Sequence, residues 1–97
     1  MSDEYPVERE DGANKGRYVI RFPEGLEAEM TYQKRGPGVI AIDHTFTPPE
    51  LRGRNIAARL MNALIDDARR EGTKIKPYCS YAVTQFQRHK EWADLLA

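Results

Sequence analysis

The chain has little cysteine, no excess of either charge and no long apolar run, and each shortage excludes something. Its 97 residues include one cysteine, Cys79, so no internal disulfide can form. A lone cysteine suits a reducing compartment, and the expected location is the cytoplasm. Lys and Arg number 15, Asp and Glu number 15, and the formal net charge is zero. A neutral chain is not expected to bind nucleic acid broadly, because phosphate backbones select basic surfaces. No stretch of about 18 apolar residues occurs, so no membrane-spanning helix is expected. The opening Met-Ser-Asp-Glu-Tyr-Pro is acidic and lacks the apolar stretch of a signal peptide. Repeats and low-complexity tracts are also lacking. The length suits one small domain with a thin core, residues 1–97, its polar first 16 residues in part flexible. A monomer is expected, with no metal.

What is present reads as strands first and helices later. Val7 to Glu10 can form a short edge strand, and the segment from Asp11 to Gly16 reads as a turn. Arg17 to Phe22 reads as a strand ended by Pro23-Glu24-Gly25. Between Glu27 and Lys34, Ala28, Met30 and Tyr32 alternate with Glu29, Thr31 and Gln33, the period of a half-buried strand. Arg35-Gly36-Pro37-Gly38 makes a turn before a strand from Val39 to Thr45. The order so far is an antiparallel meander. Then the period changes. Ile56, Ala57, Leu60, Met61, Leu64, Ile65 and Ala68 recur at spacings of three and four, an amphipathic helix that Gly72 closes. Asp66 and Arg70 are placed for an i, i+4 ion pair. Thr73 to Tyr78 reads as a strand parallel to Val39–Thr45, completing a right-handed β-α-β unit. Ser80 can cap a second helix to about His89, and Trp92, Leu95 and Leu96 can dock on the core from a last helical turn.

The chemistry concentrates between His44 and Leu60. Thr47-Pro48-Pro49-Glu50 matches a capping box with Pro at the first helical position, which by itself means only a rigid connector. Arg52-Gly53-Arg54-Asn55 then opens the long helix, with Asn55 as a candidate N-cap. Cations at a helix N-terminus oppose its dipole. Two of them there make sense if an anion sits between them, on backbone N–H groups that Gly53 leaves accessible. His44 ends an apolar strand, and on simple alternation shares a face with Ile40, Ile42 and Phe46. A histidine so placed is as readily structural as functional. Cys79 ends the next strand just before a helix, a position that favours thiolate over thiol; the plain alternative is a small inert side chain. Parallel neighbouring strands would put both residues at the C-terminal edge of the sheet, where open α/β sheets bind ligands. Phe86 can lie beside a ligand or in the core. Tyr18, Tyr32, Tyr78 and Tyr81 have polar tips that an acceptor could meet.

Arg52-Gly53-Arg54-Asn55-Ile56-Ala57 resembles the acetyl-CoA-binding signature of the GNAT superfamily of N-acetyltransferases, Gln/Arg-x-x-Gly-x-Gly/Ala. The runs His44 to Ala57 and Pro77-Tyr78-Cys79-Ser80-Tyr81 are similar to those of a subfamily of very small GNAT-like proteins, and the resemblance covers about residues 17–96. Asn55 departs from the pattern, standing at its first glycine; it could crowd a pyrophosphate or donate a hydrogen bond to it. The resemblance implies an α/β (α+β) fold of GNAT type, a mixed, mostly antiparallel sheet around a β-α-β core. Helices between the first two strands, and strands after the last helix, are absent from this chain, so the fold would be a minimal version. It implies acetyl-CoA as co-substrate and an amine acceptor, small molecule or protein. The pyrophosphate is expected on Arg52, Gly53, Arg54, Asn55, Ile56 and Ala57. Pantetheine is expected along Thr45, Phe46 and Thr47, with Phe86 beside it. His44 and Cys79 are the implied catalytic residues: His44 takes a proton from the amine, and Cys79 either protonates the leaving thiolate or carries the acetyl group. A module that binds CoA or acyl-CoA without transfer, and an interaction domain with a vestigial cofactor site, are the competing readings.

Overall fold

The computed structural model describes residues 5–97. Five strands form one sheet in chain order: β1 (Val7–Asp11), β2 (Lys15–Arg21), β3 (Glu27–Lys34), β4 (Val39–Phe46) and β5 (Lys74–Pro77). The first four are antiparallel neighbours, and β4 and β5 run parallel, joined through helix α1 (Ile56–Glu71). Helix α2 (Ser80–Arg88) follows β5, then a 3₁₀ segment, Lys90–Leu95, after which Leu96 bridges to Ile75 of β5. The α+β class and mixed sheet expected from the sequence are what the chain adopts. Among the described residues no helix is long and apolar enough to cross a membrane.

The periodicities explain the layers. On β2 and β3, Tyr18, Ile20, Ala28, Met30 and Tyr32 point to one side, and Ile40, Ile42 and Ile75 continue that face across β4 and β5. The α1 stripe of Ile56, Leu60, Met61, Leu64, Ile65 and Ala68 packs into the same cluster, as do Ala82, Phe86, Trp92 and Leu95. Each large side chain buried this way contributes roughly 1.5–3 kcal/mol. Gly72 ends α1 in the left-handed conformation, φ 72°, with its N–H on the Ala68 carbonyl.

The opposite face of the sheet carries charge. Arg17 holds Glu10 at 2.7 Å, Glu29 at 2.8 Å and Glu27 at 3.1 Å. Arg21 holds Glu8 at 2.7 Å, Glu27 at 3.3 Å and also Glu10. Hydrogen bonds from Arg17, then Arg21, lower the Glu10 carboxyl to about 2, and those from Tyr32 and Lys34 lower Asp11. A carboxylate that ionises more readily in the folded chain stabilises it above the unfolded pKa, and the benefit fades as pH falls through the folded value. Unfolding stability is therefore expected to hold near neutral pH and to drop between about pH 4.5 and pH 2. Urea midpoints across that range measure it; a flat profile would show the network adds nothing. Since these groups are solvent-exposed, salt is expected to shrink the drop.

Local details differ from the sequence expectations for identifiable reasons. The Thr47–Glu50 capping box does not form. Pro48 precedes another proline, which pushes it to ψ 144°, so the turn starts one residue late, at Pro49–Leu51. Arg70 pairs with Asp67, three residues back, not with Asp66. Asp67 lies on the flank of α1 that faces the sheet, where Tyr18 donates to it at 2.8 Å and Arg9 reaches it at 3.3 Å. The cap of α2 is Cys79 rather than Ser80, which is already helical.

Candidate active site

The site grows from the end of β4. Along β4, β5 reaches only from Val39 to Ile42, and its other edge is bridged by Leu96 at Ile75. The amides of Tyr78 and Cys79 both donate to the Ile42 carbonyl, at 2.9 and 3.1 Å, and the chain then leaves the sheet as α2. From Asp43 to Phe46, β4 keeps β3 on one side and, among the described residues, has no strand on the other. That open edge can add a ligand by main-chain hydrogen bonds, as an edge strand adds a peptide.

A bulge sets the direction of the side chains here. Tyr32 pairs with Ile42, but Thr31 pairs with His44, so Asp43 is the extra residue. A bulge shifts every later side chain to the other face. Thr45 therefore points to the helical side and His44 to the charged side. Alternation alone put His44 and Phe46 with Ile40 and Ile42, and the bulge overturns that. His44 is exposed, its Nε2 3.9 Å from Glu29 Oε2. Asp43 accepts from Thr31 at 2.5 Å and Gln33 at 3.0 Å, which holds the bulge in place.

Across from the open edge stands the N-terminus of α1. Asn55 occupies the cap position with φ 59°, and Gly53 has φ 83°. Asparagine is among the few non-glycine residues that accept the left-handed region, so the turn closes without the expected glycine. The Asn55 side chain does not cap the helix, and the first turn has no acidic residue. The first amides of α1 are thus left for another acceptor. Arg52 Nε donates to the Thr47 carbonyl at 3.0 Å; among the described residues neither Arg52 nor Arg54 makes an ion pair.

Between the two elements lies a cleft of about 400 Å³ lined by Thr45, Phe46, Thr47, Arg52, Gly53, Asn55, Ile56, Ala57, Ala58 and Tyr81. Eight of the ten residues expected at a cofactor line it. Arg54 does not; it borders a separate hollow with Tyr5 and Leu51. Phe86 does not either, being buried edge-on against Trp92 with ring centroids 5.4 Å apart. Cys79 stands behind the cleft wall. Its Sγ accepts from the Ala82 amide at 3.4 Å and lies 3.3 Å from Thr45 Oγ1. Cys79 and His44 are close in register but lie on opposite sides of β4, so they form no dyad.

Residues 17–95 match the family model described as GCN5-related N-acetyl-transferase. The chain belongs to that family. A GCN5-like protein from Staphylococcus aureus, provisionally named an N-acetyltransferase and solved by NMR, is 30% identical over 95% of this chain and 87% of its own, with a TM-score of 0.71. No curated protein matches the chain. Ala58 is the cleft residue that the sequence motifs did not single out, and Tyr81, the last residue of the run from Pro77 to Tyr81, is not among those expected at the cofactor. Tyr81 was one of four tyrosines offered as acceptor contacts. Tyr18 and Tyr32 are instead buried under α1, bonded to Asp67 and Asp11, and Tyr78 is exposed. Burial raises the Tyr81 hydroxyl above its ordinary range, so it remains a neutral donor at physiological pH.

Asn55 offers a direct probe. Asn55→Gly keeps the left-handed backbone and removes the side chain. If the cleft takes CoA, tighter binding by calorimetry is the expected result, because the change clears a side chain from the cleft wall and costs no cap. Weaker binding would mean that the amide contacts the ligand.

Proposed function

We propose that this protein transfers an acetyl group from acetyl-CoA to an amine. The observation that carries the reading is the facing pair in one cleft: among the described residues, a β4 edge with no strand on it, and a helix N-terminus with no side-chain cap beside Arg52, which makes no ion pair. A pyrophosphate suits the Arg52–Ala57 amides. A pantetheine amide suits the main chain of Thr45 and Phe46. The open space around Gly53, where an added Cβ would meet nothing within 4 Å, leaves room for such a ligand.

Acetyl-CoA supplies the acetyl group as an activated thioester. The chain's own groups would orient the carbonyl and hold its developing negative charge on β4 amides. A neutral amine attacks, the C–N bond forms and the C–S bond breaks. His44, on the charged side of the sheet, would take the proton the nitrogen sheds. Cys79 or Tyr81, on the helical side, can give one to the leaving thiolate. Steady-state acetylation of a primary amine, above the rate with the amine and acetyl-CoA alone, tests the transfer.

The separation of His44 from Cys79 by the thickness of β4 favours a second reading, a module that binds CoA or acyl-CoA without transferring it. Saturable CoA binding with no acetylation of any amine would select it.

A further inference from the structure

The cofactor cleft has a neighbour. A groove of about 460 Å³ lies between the β2–β3 connection and the segment that joins β4 to α1, with Leu26, Glu27, Glu29, Phe46, Pro48 and Glu50 in its walls. Phe46 lines both hollows, so the two meet at the end of β4. Phe46 is 41% exposed, a large apolar ring left in water at the junction.

The chemistry of the walls is divided. Leu26, Phe46 and Pro48 give the walls apolar surface against which an aliphatic chain can lie. Glu27, Glu29 and Glu50 give three carboxylates, and no cation lines the groove. Arg17 and Arg21 brace Glu27 and Glu29 from behind, but those two guanidiniums also serve Glu8 and Glu10. Among the described residues four carboxylates thus share these two cations, an excess of negative charge on this face of the sheet. Glu50 makes no ion pair among the described residues. His44, 3.9 Å from Glu29, stands beside the same wall.

We infer that this groove is the acceptor site, and that it takes an aliphatic diamine or a similar amine carrying a second positive charge. The inference rests on the transfer reading above. The apolar stem lies over Leu26 and Phe46, the distal ammonium is held by Glu27 and Glu50, and the reacting nitrogen points toward the junction at Phe46. A carboxylate on the far end of the acceptor would face like charge and be rejected.

Hexamethylenediamine, hexylamine and aminocaproate differ only at that far end and serve as probes. Amide chemical shifts of the protein alone are followed during titration with each. The diamine is expected to perturb Leu26, Glu27, Glu29 and Phe46, with affinity falling in the order diamine, monoamine, amino acid. Glu50→Gln is expected to weaken diamine binding by about fivefold, the loss of one partly exposed charge contact, and to leave CoA affinity unchanged. In turnover the same substitution should raise KM for the diamine without lowering kcat. No perturbation of these residues by millimolar diamine overturns the groove even if some amine is acetylated. Equal affinity for all three probes also overturns it. Groove binding without turnover would uphold the site and reject the transfer.

Discussion

Gly53→Val is expected to lower affinity for CoA by about a hundredfold, close to 2.7 kcal/mol. Two effects combine. Gly53 sits at φ 83°, a conformation that costs a β-branched residue roughly 1–3 kcal/mol. The new side chain would also project from the cleft wall, where an added Cβ meets no protein atom but would meet a ligand. The strain should lower Tm by roughly 4–20 °C, while the core side chains of Leu51 and Ile56 on either side are unchanged, so the variant should still melt cooperatively. Calorimetry with CoA, alongside a thermal melt, separates the two effects. Arg52→Ala should lose less, and its loss should shrink with added salt, as a screened charge requires. A valine variant that binds CoA as the parent does would remove the Arg52–Ala57 turn from the site.

The second large effect concerns Cys79. If it carries the acetyl group, acetyl-CoA alone should add one acetyl mass to the protein, and Cys79→Ala should abolish the adduct. Cys79→Ser should fail as well, because a hydroxyl without a strong base is a poor nucleophile. If it only donates a proton, no adduct should appear and Cys79→Ala should lower kcat by roughly ten- to a thousandfold. Sγ accepts from the Ala82 amide and lies 3.3 Å from Thr45 Oγ1, and Cys79 does not line the cleft, so the adduct experiment decides between the two roles. Tyr81→Phe is the companion variant, since Tyr81 lines the cleft itself. His44→Ala should slow turnover and leave CoA affinity nearly intact, because His44 lies on the other side of β4. Wild-type rates from both Cys79→Ala and His44→Ala would leave attack by a free amine on a backbone-polarised thioester.

Most of the architecture was legible in the sequence because period and punctuation agree. The alternation of Glu27–Lys34 and the stripe of Ile56–Ala68 each allow one buried face, and Gly72 can only end a helix. The motif at Arg52–Ala57 marked the helix start that faces the cleft. What the sequence concealed is a matter of single residues. Asp43 is one extra residue in a strand, with no special side chain to announce it, yet it sends His44 away from Cys79. Pro48 and Pro49 look like a helix start, but the first of them is displaced by the second. Arg54 falls one residue past Gly53, and the turn aims it at Tyr5 and Leu51 instead of the cleft. Phe86 has the spacing of a ligand contact and of a core residue alike, and Trp92, six residues on, decides for the core. The proposed acceptor groove joins residues from two segments far apart in the chain, 25–29 and 46–50, so no local pattern could show it.

The most direct test is a calorimetric titration of the wild-type protein with CoA, repeated as a thermal shift with acetyl-CoA. One-to-one saturable binding is the expected result. A ligand at a hundred times its Kd adds about 2.7 kcal/mol to the folded state, which for a chain of this size raises Tm by roughly 10–20 °C. Dephospho-CoA should bind too, because the pyrophosphate is the main anchor. No heat from CoA and no thermal shift at millimolar acetyl-CoA would contradict the assignment of the cleft between β4 and α1 as a cofactor site.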